Sequence, residues 1–511
     1  MMIELLIGVA LLGALVTFVA PNRIAGKLAF AISLVPAALS VYMFTAFDGS
    51  GNALLADGGV IAFESSTEWI RLGEYTISWF VGLDGISLPL VVLTTVLITL
   101  AIVSSWTPID DRESQFYGLL LFIEANLIGV FTALDFFLWF IFWEAVLIPM
   151  YLLIGIWGGP RRKYAAIKFF VYTNVASLVM FGAFVTLVFS LDVTTFALPA
   201  ITTAMLETGP QAEIFGLGGT SLASAVFLAM FLGFAVKVPI VPFHTWLPDA
   251  HVEAPTPASV LLAGVLLKMG TYALLRFNFT MFPEEVISAF AVPIAAIAAI
   301  SVIYGALLAL AQTDLKRVVA YSSVSSMGYV ILGLVAFTQF GVGGATFQMV
   351  SHGLVSGLMF MAVGVIYNAT HTRMLTDMSG LADKMPLAVG VLIAGSFAYM
   401  GLPLMSGFAA EYFIFFGSFG SEFLEYAPLI TAVAMFGIVI VAGYLLFALQ
   451  RAVFGPYLLE TDYEIGRAPL HDIAPMFVLL AIIIALGVAP ELIFDMITDA
   501  VDPILENGGE W

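Results

Sequence analysis

The sequence predicts an all-α protein that crosses a membrane about fourteen times. Three observations predict it. Charge is scarce, apolar runs near twenty residues recur from end to end, and Lys and Arg gather in alternate loops. Of 511 residues, 61% are hydrophobic and 10% charged, with a mean hydropathy of +1.06. Soluble domains carry about 25% charged residues, so an ordinary soluble fold is excluded. A run of roughly twenty apolar residues spans about 30 Å of hydrocarbon. A membrane β-barrel would instead show short segments of alternating polarity.

The runs read as fourteen spans: 3–20, 26–46, 81–105, 115–133, 135–157, 165–190, 222–246, 255–277, 286–311, 316–338, 343–368, 386–418, 428–453 and 472–496. The first run, from Ile3 to Ala20, has no basic segment before it, and Glu4 is its only early charge. It is therefore a membrane span and not a secretory leader. Loops 47–80 and 191–221 are too short and too polar to fold a core alone. The chain is expected to form one membrane domain over 1–511, with spans 1–3 inside 1–114, a five-helix unit at 115–277, a second at 286–453, and a last span at 472–496.

The basic residues test the count. With the N-terminus outside, the inner loops hold Arg23, Lys27, Arg112, Arg161, Arg162, Lys163, Lys316, Arg317, Arg373, Lys384, Arg451 and Arg467, and the outer side holds Arg71 and Arg276. Cytoplasmic loops are the ones enriched in Lys and Arg, so both termini are expected outside the cell membrane. The chain has no cysteine, and its five histidines form no metal motif. Iron–sulfur clusters and thiol chemistry are excluded, and no cofactor is expected on this chain. Net charge is −19, with acid concentrated in loops and at the C-terminus. That surface suits high salt, where screening removes self-repulsion, and a halophilic source is expected. No nucleic-acid partner is expected.

Some charges fall inside spans, where each costs about 2.5–3.5 kcal/mol on insertion scales. They are Glu124 (span 4), Glu144 (span 5), Lys168 (span 6), Lys237 (span 7), Lys268 (span 8) and Glu411 (span 12), joined by His352 in span 11. All can exchange protons. The bland readings are specific: Lys168 is close enough to the inner face to snorkel, Glu124 can pair with Asn126 or Asn174, and His352 can be a satisfied interior histidine. Two spans carry helix breakers beside their charge. Span 7 reads FAVKVPIVPFHTW, with Pro239 and Pro242 after Lys237 and His244 beyond them. Span 12 reads GLPLMSGFAAEYF, with Gly401, Pro403 and Gly407 before Glu411. Breakers free backbone polar groups, which are tolerated at membrane depth only within protein or against water. Five spans separate the two breaks, so spans 4–8 and 9–13 are expected to be inverted repeats, a pattern that marks ion paths.

The blocks FFLWFIFWEAVLIPMYLLIGIWGG, AVKVPIVPFHTWLPDAHVEAPTPASVLLAGVLLKMGTYALLRF, TDLKRVVAYSSVSSMGYV, SHGLVSGLMFMAVGVIY and GLPLMSGFAAEYFIFFGSF resemble the antiporter-like proton-translocating membrane subunits of complex I, the NADH-quinone oxidoreductase family. Mrp-type Na⁺/H⁺ antiporter subunits and membrane-bound hydrogenases belong to the same superfamily and supply the alternative functions. The resemblance runs from Gly82 to Gly455 and fits the M (NuoM) type. Glu411 stands where L, N and Mrp relatives usually have lysine, and the chain ends after span 14 without the lateral helix of the L type. The resemblance implies proton-translocation roles for Glu144, Lys237, Lys268, His352 and Glu411, and a structural role for Asp84 in GLDGISL. Ser326 stands where the family commonly has histidine, so it, Glu124, Lys168 and His244 are the further relay candidates.

The resemblance also implies partners: L-, N- and K-like membrane subunits, and through them a peripheral redox arm that supplies the drive. In the implied mechanism Glu144 and Lys237 form a pair whose closing retains a proton on the lysine. Its opening sends that proton to Lys268 and on, by His352 and water, to Glu411.

Overall fold

A bilayer core offers no water to backbone amides, so each apolar run must satisfy its own hydrogen bonds as helix. The computed structural model describes residues 1–55, 59–457, 465 and 468–506; Arg467 and the chain beyond residue 506 lie outside the described residues. Among the described residues, thirteen helices are long and apolar enough to cross a membrane. They are spans 1 (Met2–Val19), 2 (Asn22–Thr45), 3 (Ser87–Ser104), 4 (Glu113–Thr132), 5 (Phe136–Trp157), 6 (Arg162–Ser190), 7 (Gly219–Lys237), 8 (Thr256–Phe279), 9 (Glu284–Leu310), 10 (Leu315–Val335), 11 (Gln339–Thr370), 13 (Ala427–Ala452) and 14 (Leu470–Val488). Span 12 is assembled from two shorter helices, Pro386–Tyr399 and Ser406–Phe419. The chain is an all-α, multi-pass membrane protein. Helix starts follow capping chemistry: Asp135 accepts from the amides of Phe137 and Leu138, and Asp314 from those of Lys316 and Arg317.

Span 7 ends at Lys237 and not at 246, and two further boundaries differ from the sequence reading. Span 3 starts at Ser87 and not near 81, because the preceding residues form a strand. β1 (Ala62–Leu72) pairs antiparallel with β2 (Tyr75–Leu83). Leu72 lies opposite Tyr75 across a two-residue turn with Gly73 at φ +64, the left-handed geometry such hairpins need. The hairpin of loop 47–80 docks onto the span ends. Leu134 N donates to Phe80 O (2.8 Å), and Thr76 N donates to Thr194 O (2.9 Å). The last span also ends early. Helix Leu470–Val488 stops, Pro490 follows, and a separate helix, Glu491–Glu506, takes over.

Burial places the centre. The apolar eighteen-residue stretches of spans 8 and 11 are wholly buried and that of span 10 is 94% buried, whereas those of spans 1, 2, 13 and 14 are only 28–39% buried. The peripheral spans therefore face lipid or neighbours, and the charges on spans 8 and 11 lie at the middle of the protein.

At the rim that carries the hairpin, one buried ion pair ties four segments together. Arg276, from span 8, donates to Asp84 Oδ1 at the foot of span 3 and to Asn52 Oδ1 (3.2 Å). Both charged side chains are 1% exposed. Asp84 also accepts from the amides of Ala53, Ile86 and Ser87. Burial alone would raise the Asp84 carboxyl, but the Arg276 charge and these hydrogen bonds hold it below the usual range. Asn52 in turn donates to Ala500 O (2.8 Å), and Gly51 N to Asp499 Oδ2 (2.9 Å), fastening the C-terminal helix. A Cβ at Gly85 would collide with the Met496 carbonyl, so only glycine allows this approach. Removing one partner of a buried pair costs about 3–5 kcal/mol. Arg276→Ala is expected to lose stability on that scale in thermal or denaturant unfolding of the reconstituted protein, and a loss below about 1 kcal/mol would remove the pair from this role.

Candidate functional site

Span 7 ends abruptly at Lys237, where the first proline interrupts the helix. A 3₁₀ turn, Phe243–Thr245, and a short helix, Trp246–Glu253, then complete the crossing. The backbone freed by the break is answered locally. The Trp246 indole donates to Val236 O (2.9 Å), and Val241 N donates to Ser301 Oγ of span 9 (3.0 Å). Lys237 is 3% exposed, and its ammonium has no hydrogen-bond partner. It lies 4.7 Å from the ring centroid of Trp143, a desolvated cation–π contact worth about 2 kcal/mol. Glu144, half-buried beside Trp143, is near enough to interact Coulombically with Lys237. No ion pair within 4.0 Å joins them among the described residues; Asn174 Nδ2 donates to Glu144 Oε2 instead (3.2 Å). The pair is therefore open in this structure. Gly270 of span 8 lets that helix approach closely, since a Cβ there would stand 3.2 Å from Lys237 Cβ.

Lys268 and His352 meet at the protein centre. Lys268 Nζ is 2.6 Å from His352 Nδ1 and also donates to Ala263 O. Both side chains are essentially unexposed. A π turn over Leu262–Leu266 lies just before Lys268, a local irregularity often found at functional sites. The other ring nitrogen of His352 faces the Tyr399 hydroxyl (3.5 Å), and the two rings meet edge-on. Tyr399 is the last residue before the break in span 12. Its hydroxyl is surrounded by Ser322, Ser323 and Ser356. Beyond it, buried Tyr444 lies electrostatically near both Tyr399 and Glu411, and its hydroxyl has no hydrogen-bond partner.

Glu411 sits six residues into Ser406–Phe419, 7% exposed, on the wall of a groove of about 820 Å³ otherwise lined mainly by aromatic side chains. Gly401, at φ +64, packs against its carboxylate, where a Cβ would collide. Ser406 and Ser351 share a hydrogen bond (2.8 Å) that ties the break to span 11, one residue before His352. The break thus follows Lys237 in span 7 but precedes Glu411 in span 12, so the two charges stand on opposite sides of their breaks.

The other candidates are placed differently. Glu124 is fully buried with neither oxygen partnered. Asn126 donates to Phe122 O and Asn174 to Glu144, so the expected asparagine partner is absent. Lys168 is bound to Asp249 (2.8 Å) and Thr245 O (2.8 Å) near the basic rim, which makes it an anchor for the second half of span 7. His244 lies between Tyr304 and Tyr321. Ser326 is buried in span 10 but hydrogen-bonds to none of the other candidates. Among the described residues no cluster of His, Cys, Asp or Glu is gathered as for a metal.

Comparison with known proteins identifies the architecture. The family described as "NADH:quinone oxidoreductase/Mrp antiporter, TM" matches residues 133–440. The F(420)H(2) dehydrogenase subunit M of Methanosarcina mazei is 38% identical over 98% of this chain and 97% of its own. The NADH-quinone oxidoreductase subunit M of Rhodobacter capsulatus is 40% identical over 96% and 92%. A chain of respiratory complex I from Thermus thermophilus superposes with a TM-score of 0.86 at 25% identity, covering both chains completely. The chain belongs to this family.

Within the family it is of the M type, and the matched region contains Glu144, Lys237, Lys268, His352 and Glu411. Sequence reasoning missed Tyr399 and Tyr444 between His352 and Glu411. The available signal for Tyr399 was that a deeply buried tyrosine needs a partner for its hydroxyl and that it directly precedes a helix break. Ser301 was missed as well. Ser301→Ala would leave the Val241 amide unpaired at the break, at a cost of about 1–3 kcal/mol. A lower thermal midpoint for that variant is expected, and an unchanged midpoint would show that the break is held by other means.

Proposed function

We propose that this chain is a proton-translocating subunit of the membrane arm of a complex I-type quinone oxidoreductase. Protons move through Glu144, Lys237, Lys268, His352 and Glu411, and redox chemistry in partner subunits drives them. The chain itself supplies no redox centre and binds no cofactor. The observation that carries the reading is the Lys268–His352 contact within the most deeply buried spans, 8 and 11. Two full positive charges 2.6 Å apart would repel by about 6 kcal/mol at an effective dielectric of 20. The couple therefore holds one excess proton at a time. Moving a charge across the membrane takes about 2.3 kcal/mol per 100 mV, so this repulsion is large enough to expel a proton against an ordinary membrane potential.

In this reading Lys237 loads when Glu144 approaches it and unloads toward Lys268 when Glu144 turns to Asn174. His352 hands on to Tyr399, whose surrounding serines and Tyr444 lead to Glu411. The spans 4–8 and 9–13 act as two inverted units with one broken helix each. The basic rim faces the cytoplasm of a cell membrane, both termini face outward, and L-, N- and K-like subunits and a redox arm complete the assembly. The groove beside Glu411 supports an outlet on that flank.

Lys237→Ala, in a complex that assembles normally, is expected to abolish proton uptake coupled to quinone reduction in membrane vesicles, and Glu144→Gln to do nearly the same. Tyr399→Phe, which removes only the hydroxyl facing His352, is expected to slow uptake severalfold without changing assembly. Wild-type uptake by the Lys237→Ala complex would overturn the reading. Uptake that required Na⁺ would move the chain to antiport.

A further inference from the structure

His251 has no part in the path above, yet its buried imidazole is unsatisfied at both nitrogens. It lies in the short helix Trp246–Glu253 and is completely unexposed, and neither ring nitrogen has a hydrogen-bond partner. A neutral imidazole carries one donor and one acceptor, and burying both unanswered is costly. Its one side-chain contact of defined geometry is flat stacking on Phe360 of span 11, 4.5 Å between centroids and 8° between planes.

Span 11 orders the surroundings. His352, Ser356, Phe360 and Gly364 recur every four residues and so share one helix face. His352 bonds Lys268, Ser356 faces Tyr399, and Phe360 carries His251. One turn further toward the basic rim, Gly364 and Tyr367 line an open cavity of about 290 Å³ whose lining also includes Glu253, Lys316 and Arg373. Lys316 Nζ reaches the Ala254 carbonyl, three residues after His251. Electrostatically His251 faces Lys316 on the cavity side and Lys268 and His352 on the central side. Eight residues of helix separate His352 from Phe360, about 12 Å along the axis. That distance is too long for a direct transfer and suited to one intervening side chain with bridging water.

We infer that His251 is the proton-conducting link between the polar cavity at the basic rim and the Lys268–His352 couple. This rests on the proposed function, since it names the inlet of that same path. The step conserves protons. One N–H bond forms as a ring nitrogen takes a proton from cavity water, and one breaks as the other nitrogen releases a proton through bridging water toward Lys268. The ring then resets by a 180° turn about its Cβ–Cγ bond, for which it lifts off the Phe360 face. The competing role is a packing aromatic that only fills the space over Phe360.

Phenylalanine preserves that stack and removes both nitrogens, so His251→Phe separates the two roles. Proton uptake coupled to quinone reduction would be measured in vesicles and normalised to assembled complex, with Lys268→Ala run alongside. His251→Phe is expected to lose about tenfold or more. His251→Ala is expected to be equally slow and partly restored by free imidazole supplied on the basic-rim side, a recovery that a packing role would not give. Wild-type rates in His251→Phe with Lys268→Ala impaired would overturn the inference and leave the proposed function standing; wild-type rates in both would overturn the function as well. Should His251→Phe fail to assemble, the imidazole response of His251→Ala decides, and no response overturns the inference.

Discussion

A cation buried deep in the protein has to be answered by the protein, and that constraint organises the whole centre of this molecule. Lys268 is answered by a carbonyl and by His352. The answer is itself titratable, so stabilising the charge and moving it use the same contact. Spans 8 and 11, buried throughout their apolar stretches, are what shield that contact from the outside. Their low-dielectric surroundings let the repulsion between two charges reach several kcal/mol instead of being screened away.

The helix breaks serve the same constraint. An unbroken span 7 would present Lys237 to an apolar neighbour with every backbone group already used. The break instead recruits Trp246 and Ser301 to the loose backbone and brings Trp143 over the ammonium. Further toward the basic rim, Lys168, Lys316 and Arg373 donate to the carbonyls of Thr245, Ala254 and Val252, so the second half of span 7 is held by cations. At the opposite rim Arg276 and Asp84 lock the foot of span 3 to the end of span 8. The mobile chemistry thus lies between two fixed ends.

Much of this was legible because a charge inside an apolar run stands out. The burial of Lys237, Lys268, His352 and Glu411 and the two breaks could be read from residue type and position alone. The family could be read from long blocks in order. What was hidden shares its chemistry with the background. With 14% aromatic residues, Tyr399 and Tyr444 look like packing, and His251 looks like any loop-flanking histidine until its nitrogens are found unpartnered. Distances were hidden too: sequence names Glu144 beside Lys237 but cannot tell that Asn174 holds the carboxylate. The run TISWFVGL reads equally as the start of span 3 or as a strand, since a short apolar run carries no decisive period. Only its pairing with β1 decides.

The central claim is that Lys268 and His352 act as one proton-holding unit. The direct measurement is a double-mutant cycle on coupled proton uptake: Lys268→Ala, His352→Ala and the two combined, each in fully assembled complex. Residues that work as a unit are strongly non-additive. The account predicts that the double variant is no slower than the slower single variant. Losses that multiply, as for two independent sites, would contradict it.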